Sequence, residues 1–291
     1  MRLVVLGAQG QVGQALTSLS RREQIPTIAF RHSDCDIVDA LAVKRAISAS
    51  AIVVNCAAYT AVDQAESDAD AAYGVNSLGA ANVAAACAEA GIPLIHLSTD
   101  YVFDGASDRP ATENDAPHPL NVYGQSKLSG EEKIRERLPA HIILRTSWIF
   151  SAYGTNFVLT MLRLARAQSE LRVVHDQVGG PTAADDIAKA VLRIIGACCA
   201  PGFSAWGTYH FSGVPAVSWY DFARAILVDS GTRVVPIATK DFPRPARRPA
   251  NSALDCNRIW HVFGIAQPDW RVALARVREM LAAECCEPDN R

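Results

Sequence analysis

Leu3-Val4-Val5-Leu6-Gly7-Ala8-Gln9-Gly10-Gln11-Val12-Gly13 decides the fold. Its four aliphatic residues make a run of the kind that forms a central parallel strand, buried on both faces. A glycine turn follows, and Ala15, Leu16 and Leu19 beyond it carry a helical period. Strand, glycine turn and helix in that order are what a phosphate loop requires. Glycines let the backbone approach a pyrophosphate, and the helix N-terminus offers free N–H groups and a favourable dipole. The spacing is G-x-x-G-x-x-G, a departure from the more usual G-x-G-x-x-G. Gly7, Gly10, Gln11, Val12 and Gly13 are therefore the first candidate cofactor contacts.

Outward from this turn, Ile25 to Phe30 reads as a second strand ending at Arg31-His32. A strictly NAD-specific site places an acid about 20 residues beyond the glycines, on the ribose 2′-hydroxyl. Here Arg31 holds the strand end, with Asp34 and Asp36 shortly after. Arg31 either accepts a 2′-phosphate or is a solvated loop residue, so the cofactor is NADPH or NADH. Asp39 is expected to cap a helix through Val43 and Ile47. Ala51 to Ala58 reads as a buried strand whose small exit residues, Ala57 and Ala58, let a nucleotide lie against the backbone. Asp63, Glu66, Asp68 and Asp70 read mostly as a solvated acidic face. A helix is predicted from Ala69 to Gly91, stopped by Gly91-Ile92-Pro93, with Asn76 in its middle either exposed or bonded into the site.

Leu94 to Ser98 is the next strand, and Thr99 opens its exit loop. Ligands of open α/β sheets bind at the carboxyl ends of strands, which places the Thr99 hydroxyl well for bonding a substrate oxygen. His141 to Arg145 is a further strand, leading to Thr146-Ser147-Trp148. Five strand–helix alternations within the first 150 residues predict an α/β chain with a Rossmann-type doubly wound parallel sheet. We divide it into a dinucleotide-binding domain, 1–150, and a smaller, mainly substrate-binding lobe, 151–291, with segments near 175–200 returning to the sheet.

Between those last two strands lies Tyr123-Gly124-Gln125-Ser126-Lys127. Residues four apart share a helix face, so both ionisable groups can point into one cleft. A tyrosine of pKa about 10 exchanges protons poorly at neutral pH. A nearby ammonium favours the phenolate and makes the phenol a usable general acid. The spacing arises by chance in many helices; the glycine turn and Ser98-Thr99 give it weight.

Bulk composition narrows the partner. With 28 Lys and Arg against 30 Asp and Glu, a net charge of −2 and no charged block, the chain lacks the basic surface of a nucleic-acid binder. A small molecule is the expected partner. The eight cysteines have neither C-x-x-C nor disulfide-scaffold spacing, and read as reduced thiols of a cytoplasmic protein. The Cys198-Cys199 and Cys285-Cys286 pairs have no His or Cys at finger-type spacing for zinc. Met1 to Gly7 reads as a strand entering a turn, not a signal peptide. No apolar run approaches the ~20 residues of a membrane span.

Taken together, Gly10-Gln11-Val12-Gly13, Asn55-Cys56-Ala57-Ala58-Tyr59-Thr60-Ala61-Val62-Asp63, Ser98-Thr99-Asp100-Tyr101-Val102-Phe103-Asp104-Gly105, Tyr123 to Lys127, Arg145-Thr146-Ser147-Trp148, Gly154-Thr155-Asn156-Phe157, Gly180-Pro181-Thr182 and Arg248 to Leu254 resemble the dTDP-4-dehydrorhamnose reductases. These are extended short-chain dehydrogenase/reductases that make dTDP-L-rhamnose for cell-surface polysaccharide. The resemblance implies hydride delivery from the nicotinamide to C4 of a keto sugar, with Tyr123 protonating the oxygen. Lys127 would lower the tyrosine pKa and hold the nicotinamide ribose, and Thr99 would bond the same oxygen. It adds Arg31, Asp36, Ile37, Ala57, Ala58, Tyr59, Tyr123 and Lys127 to the glycine-turn residues as cofactor contacts. Thr99, Asp100, Tyr123, Trp148 and Asn156 become the substrate contacts. Trp148 is otherwise read as a packed core aromatic.

Some members bind Mg²⁺ at a dimer interface through a glutamate at the position held here by Ala15. No metal is therefore expected, and the chain is expected to be a monomer or a weak homodimer. Cys56 replaces the family's usual alanine, a small-for-small change. Two other readings keep parts of this picture: reduction of another nucleotide-linked 4-keto-6-deoxyhexose, for example to 6-deoxy-L-talose, and a non-catalytic NADP-binding regulatory subunit such as the β subunit of methionine adenosyltransferase. The complete Thr99, Tyr123 and Lys127 set argues against the second.

Overall fold

The computed structural model describes residues 2–47 and 52–286, without the side chains of 284–286, so the thiols of Cys285 and Cys286 lie outside the described residues. The first half alternates regularly. It runs β1 (Leu3–Leu6), α1 (Gln11–Arg22), β2 (Thr27–Phe30), α2 (Ala40–Ile47), β3 (Ile52–Asn55), then α3 (Val62–Ala65), α4 (Ala69–Tyr73) and α5 (Ala80–Ala90). After these come β4 (Leu94–Thr99), α6 (Val122–Arg137) and β5 (His141–Thr146). The second half is made of shorter pieces: β6 (Ile149–Phe150), α7 (Phe157–Ala165), β7 (Glu170–Val174), β8 (Val178–Gly179), β9 (Thr182–Ala183) and α8 (Ala184–Cys198). It closes with β10 (Gly207–His210), β11 (Val217–Ser218), α9 (Trp219–Ile226), β12 (Arg233–Ile237), α10 (Asn257–Phe263) and α11 (Trp270–Cys286).

Six parallel strands form the main sheet in the order β2-β1-β3-β4-β5-β10. Pleating sends alternate residues to opposite faces. Leu3, Val5, Ile52, Val54, Ile95, Ile142 and Leu144 enter one core, covered by α1 and α8. Val4, Leu6, Val53, Leu94 and Ile143 enter the other, covered by α2 and α5. Burial on both faces is why these strands read as unbroken aliphatic runs. The doubly wound sheet expected from the alternation is the one observed. A third core holds the remaining elements together: Phe150, Val158 and Met161 pack with Phe222, Ile226, Trp270 and Leu274.

Two expectations need correction. The predicted helix from Ala69 to Gly91 is interrupted by a π-helical turn, Gly74–Gly79, because Asn76 is drawn inward by hydrogen bonds described below. Glu66 and Asp70 are exposed as expected, but Asp63 is half-buried and is not part of a solvated face. Asp63 takes Arg248 and the Ala246 N–H, and Glu66 accepts the Val122 N–H, so this stretch ties the 246–248 loop and the start of α6 together. No helix among the described residues is long and apolar enough to cross a membrane. Cys35, Cys56, Cys87, Cys198 and Cys256 are free thiols.

Candidate active site

Strand order reverses between β1 and β3, and a cleft of about 750 Å³ opens at the carboxyl ends of the strands there. The glycine turn forms its floor. A Cβ on Gly7 would lie 2.5 Å from the Ala57 nitrogen, and one on Gly13 would lie 2.3 Å from the Gly7 oxygen. Those two contacts set the close approach of β1 to the β3 exit and the tightness of the turn. Gly10 caps α1 without a side-chain acceptor, leaving the first-turn N–H groups for a ligand anion. Cradle, helix end and volume together fit a dinucleotide. Gly13→Ala is expected to open the turn and weaken NADPH binding at least about tenfold, a cost in the range of local backbone strain, read by fluorescence titration.

Along one wall the cleft is lined by His32, Cys35, Asp36 and Ile37. Gln9 fixes this segment by accepting the His32 N–H at 3.1 Å. Arg31 is exposed just before it and does not line the cleft. Ala57, Ala58 and Tyr59 line the β3 exit. The backbone of Tyr59 is bracketed by Asn76, whose Oδ1 accepts its N–H at 2.9 Å while Nδ2 donates to its carbonyl at 3.1 Å and to Ser126 Oγ at 3.0 Å. Asn76 therefore joins the β3 exit to α6.

Helix α6 brings the polar groups into the cleft. Asn121 caps it, accepting the Gly124 N–H at 2.8 Å and donating to the Arg247 carbonyl at 2.7 Å. Within the first turn, the Tyr123 ring meets Tyr101 edge-on, with centroids 6.0 Å apart. Thr99 donates to Asp100 Oδ1 at 3.0 Å and accepts the Tyr101 N–H at 3.1 Å. Desolvation pushes the Tyr123 phenol up to about 12, against a hydrogen bond with Thr99. Burial likewise raises the Asp100 carboxyl to about 7, with the Ser252 and Thr99 hydroxyls opposing it. Lys127, 2% exposed, donates to the Leu97 carbonyl at 2.7 Å and lies 3.3 Å from His96 Nε2. Here the structure departs from the expectation of an ammonium depressing the phenol. Lys127 is turned toward β4, and the dominant influence on Tyr123 is loss of water.

On the opposite wall Trp148, with a left-handed backbone (φ 45°), stacks on Trp219 at 3.4 Å with ring planes 3° apart. Both line the cleft. Asn156 does not. It caps α7 through the Leu159 N–H at 3.1 Å and donates to the Ser151 and Tyr153 carbonyls, so its amide is consumed in shaping the 151–155 loop.

The sequence profile of the RmlD substrate binding domain family matches residues 1–283. A dTDP-4-dehydrorhamnose reductase of Aggregatibacter actinomycetemcomitans is 43% identical over 288 residues, 95% of this chain and 98% of that protein. The chain belongs to the dTDP-4-dehydrorhamnose reductase family. The spore coat polysaccharide biosynthesis protein SpsK of Bacillus subtilis is 38% identical over 98% of this chain and 99% of its own length. A crystal structure of the Bacillus anthracis dTDP-4-dehydrorhamnose reductase in complex with NADP superposes with a TM-score of 0.89, at 36% identity over 96% of this chain and 99% of that one.

In this member of the reductase family, the cleft gathers Gly7, Gly10, Gln11, Val12, Asp36, Ile37, Ala57, Ala58, Tyr59, Thr99, Asp100, Tyr123, Lys127 and Trp148. Gly13 lies beneath the turn, and Arg31 and Asn156 stand outside. Sequence reading missed His32, Thr155 and Trp219 on the walls and His96 behind Lys127. Trp219 had one usable signal, its place directly after the Ser218 cap at a helix start. His96 had none, since a histidine inside an aliphatic strand reads as core.

Proposed function

We infer that the chain reduces the C4 ketone of dTDP-4-dehydro-L-rhamnose with NADPH, giving dTDP-L-rhamnose. The observation that carries this is the meeting of Thr99, Tyr123 and Lys127 in one dinucleotide-sized cleft, in a chain whose full-length relatives bear that reductase's name. Bound nicotinamide supplies hydride to C4. Tyr123 gives the proton to O4, and because burial holds its phenol near 12, it stays protonated throughout the neutral range. Thr99, whose single proton goes to Asp100 Oδ1 when no ketone is bound, would turn it to the same oxygen and orient the ketone. Lys127 holds the nicotinamide ribose. Asp100, beside Thr99, lines the cleft and meets the sugar. Trp148 packs against the sugar, with Trp219 backing it. Arg31, adjacent to the His32 wall, is assigned to the 2′-phosphate, and Asn156 supports the pocket through its loop.

The proposed division of labour keeps the dinucleotide over 1–150 and the sugar under 151–291, with α8 packed on α1 and β10 at the sheet edge belonging to the first. Free thiols among the described residues, with Cys35, Cys87 and Cys256 buried, support a cytoplasmic location. The assembly is proposed to be a monomer or weak homodimer without metal, since Ala15 is buried in the sheet core and offers no surface carboxylate. Light scattering should give one molar mass with Mg²⁺ or with chelator, and turnover should not change between them; a Mg²⁺-dependent dimer would contradict this.

Product stereochemistry tests the substrate assignment. Magnetic resonance of the sugar formed from dTDP-4-dehydro-L-rhamnose should show the rhamno configuration at C4. A talo product would mean that the ketone presents its other face.

A further inference from the structure

His96 is 1% exposed on β4, and the reaction as described leaves it without a role. Its hydrogen bonds nevertheless fix its chemistry. Asn55 Oδ1 accepts the Ala57 N–H at 3.0 Å, so the amide cannot turn, and Asn55 Nδ2 faces His96 Nδ1 at 3.1 Å. An amide NH₂ only donates, so Nδ1 is the acceptor and the proton of the neutral ring is on Nε2. Nε2 faces Lys127 Nζ at 3.3 Å. An ammonium has donors and no acceptor; set against Nε2–H it leaves two donors opposed, whereas an uncharged amine accepts the bond. The amine still donates to Leu97 O.

We propose that His96, fixed as its Nε2–H tautomer by Asn55, is a positioning residue that donates to the uncharged amine of Lys127, and that Lys127 takes up a proton from solvent when NADPH draws it to the nicotinamide ribose. The second clause rests on the role given to Lys127 above. The surroundings agree. Glu131 faces Lys127 from its own helix, Cys56 from the β3 exit and His96 from β4, while Tyr123 shares the cleft lining with it. Glu131 is the natural counter-ion, one turn along, but its carboxylate is taken by Arg145, Arg135 and Ser98. Burial brings Lys127 down to about 8, Glu131 and Cys56 opposing it, so the uncharged amine is the minor form at neutral pH and the main one above about pH 8. Burial and then Lys127 hold His96 well below its ordinary value, with Glu131 opposing and His141 adding, which keeps the ring neutral.

Two measurements on the full chain test this. Nitrogen magnetic resonance of ¹⁵N-histidine-labelled protein, with the His96 signals assigned from their loss in His96→Gln, should show the proton on Nε2 at neutral pH. An Nδ1–H or doubly protonated ring overturns the proposal. Calorimetric NADPH titration at pH 8, in two buffers of different protonation enthalpy, should show net uptake of a fraction of a proton per cofactor, as expected for an amine partly uncharged in the free protein. Lys127→Met should abolish the uptake. Asn55→Asp should reverse the tautomer, raise Lys127 by about one pH unit, cut the uptake severalfold and move the corresponding limb of the pH–rate profile upward. Zero uptake in the natural chain, or uptake surviving in Lys127→Met, overturns the proposal. Failure to reduce the sugar despite a normal His96 tautomer and NADPH binding would sink the reductase reading instead.

Discussion

Tyr123→Phe is expected to lower kcat by about 10²-fold or more while leaving NADPH affinity within about twofold. The hydroxyl is the proton donor in this account, and its loss forces the alkoxide formed at C4 to take its proton from water. The ring itself stays, so its edge-on packing against Tyr101 and the course of α6 are kept. The Thr99 hydroxyl remains and still orients the ketone, which is why KM should move little compared with kcat. Single-turnover NADPH oxidation separates the two effects. Near-normal turnover would remove Tyr123 from the chemistry. Because the phenol sits near 12, no alkaline limb from Tyr123 should appear in the natural enzyme's rate profile below about pH 10.

Arg145→Met is expected to destabilise the fold by about 3–5 kcal/mol in chemical denaturation. Glu131 is fully buried, and its two oxygens accept Arg145 Nε at 2.9 Å and an Arg145 terminal nitrogen at 2.6 Å, with Arg135 and Ser98 each at 2.6 Å. Removing Arg145 strands a carboxylate between β4, β5 and α6 with only a partly exposed arginine and a hydroxyl. The double variant Arg145→Met with Glu131→Leu should recover most of the loss, since replacing both charges by apolar groups removes the stranded one. The same carboxylate sets an acid limit. Despite burial, the two arginines hold Glu131 down to about 2, below its ordinary 4.5. The unfolded chain thus binds this proton first as pH falls, and the stability is complete above about pH 4.5 and lost between there and about 2. A double variant as unstable as the single one would contradict this reading.

Much of the site could be read in the sequence because its parts are local. A glycine turn is defined by spacing within one loop, and Tyr123 and Lys127 by spacing on one helix. What escaped depends on which distant segments meet. Asp63 and Arg248 are separated by most of the chain, so nothing local marks their pairing. Asn76 looks like an interruption in an alanine-rich helix until the Tyr59 backbone is placed beside it. The direction of Lys127 was unreadable for the same reason. Helical spacing puts its stem on the Tyr123 face, but the carbonyl of Leu97 and the ring of His96, both from a strand, determine where its nitrogen rests. Asn156 illustrates the converse, a motif residue whose polar atoms serve the backbone around it.

The central claim is that this cleft reduces a nucleotide-linked 4-keto sugar. The most direct test is NADPH oxidation on adding dTDP-4-dehydro-L-rhamnose to the purified chain, with the nucleotide sugar counted at the end. The account predicts one dTDP-L-rhamnose formed for each NADPH consumed, and loss of that turnover in Tyr123→Phe. Folded protein that binds NADPH yet leaves both cofactor and ketone unchanged would contradict it.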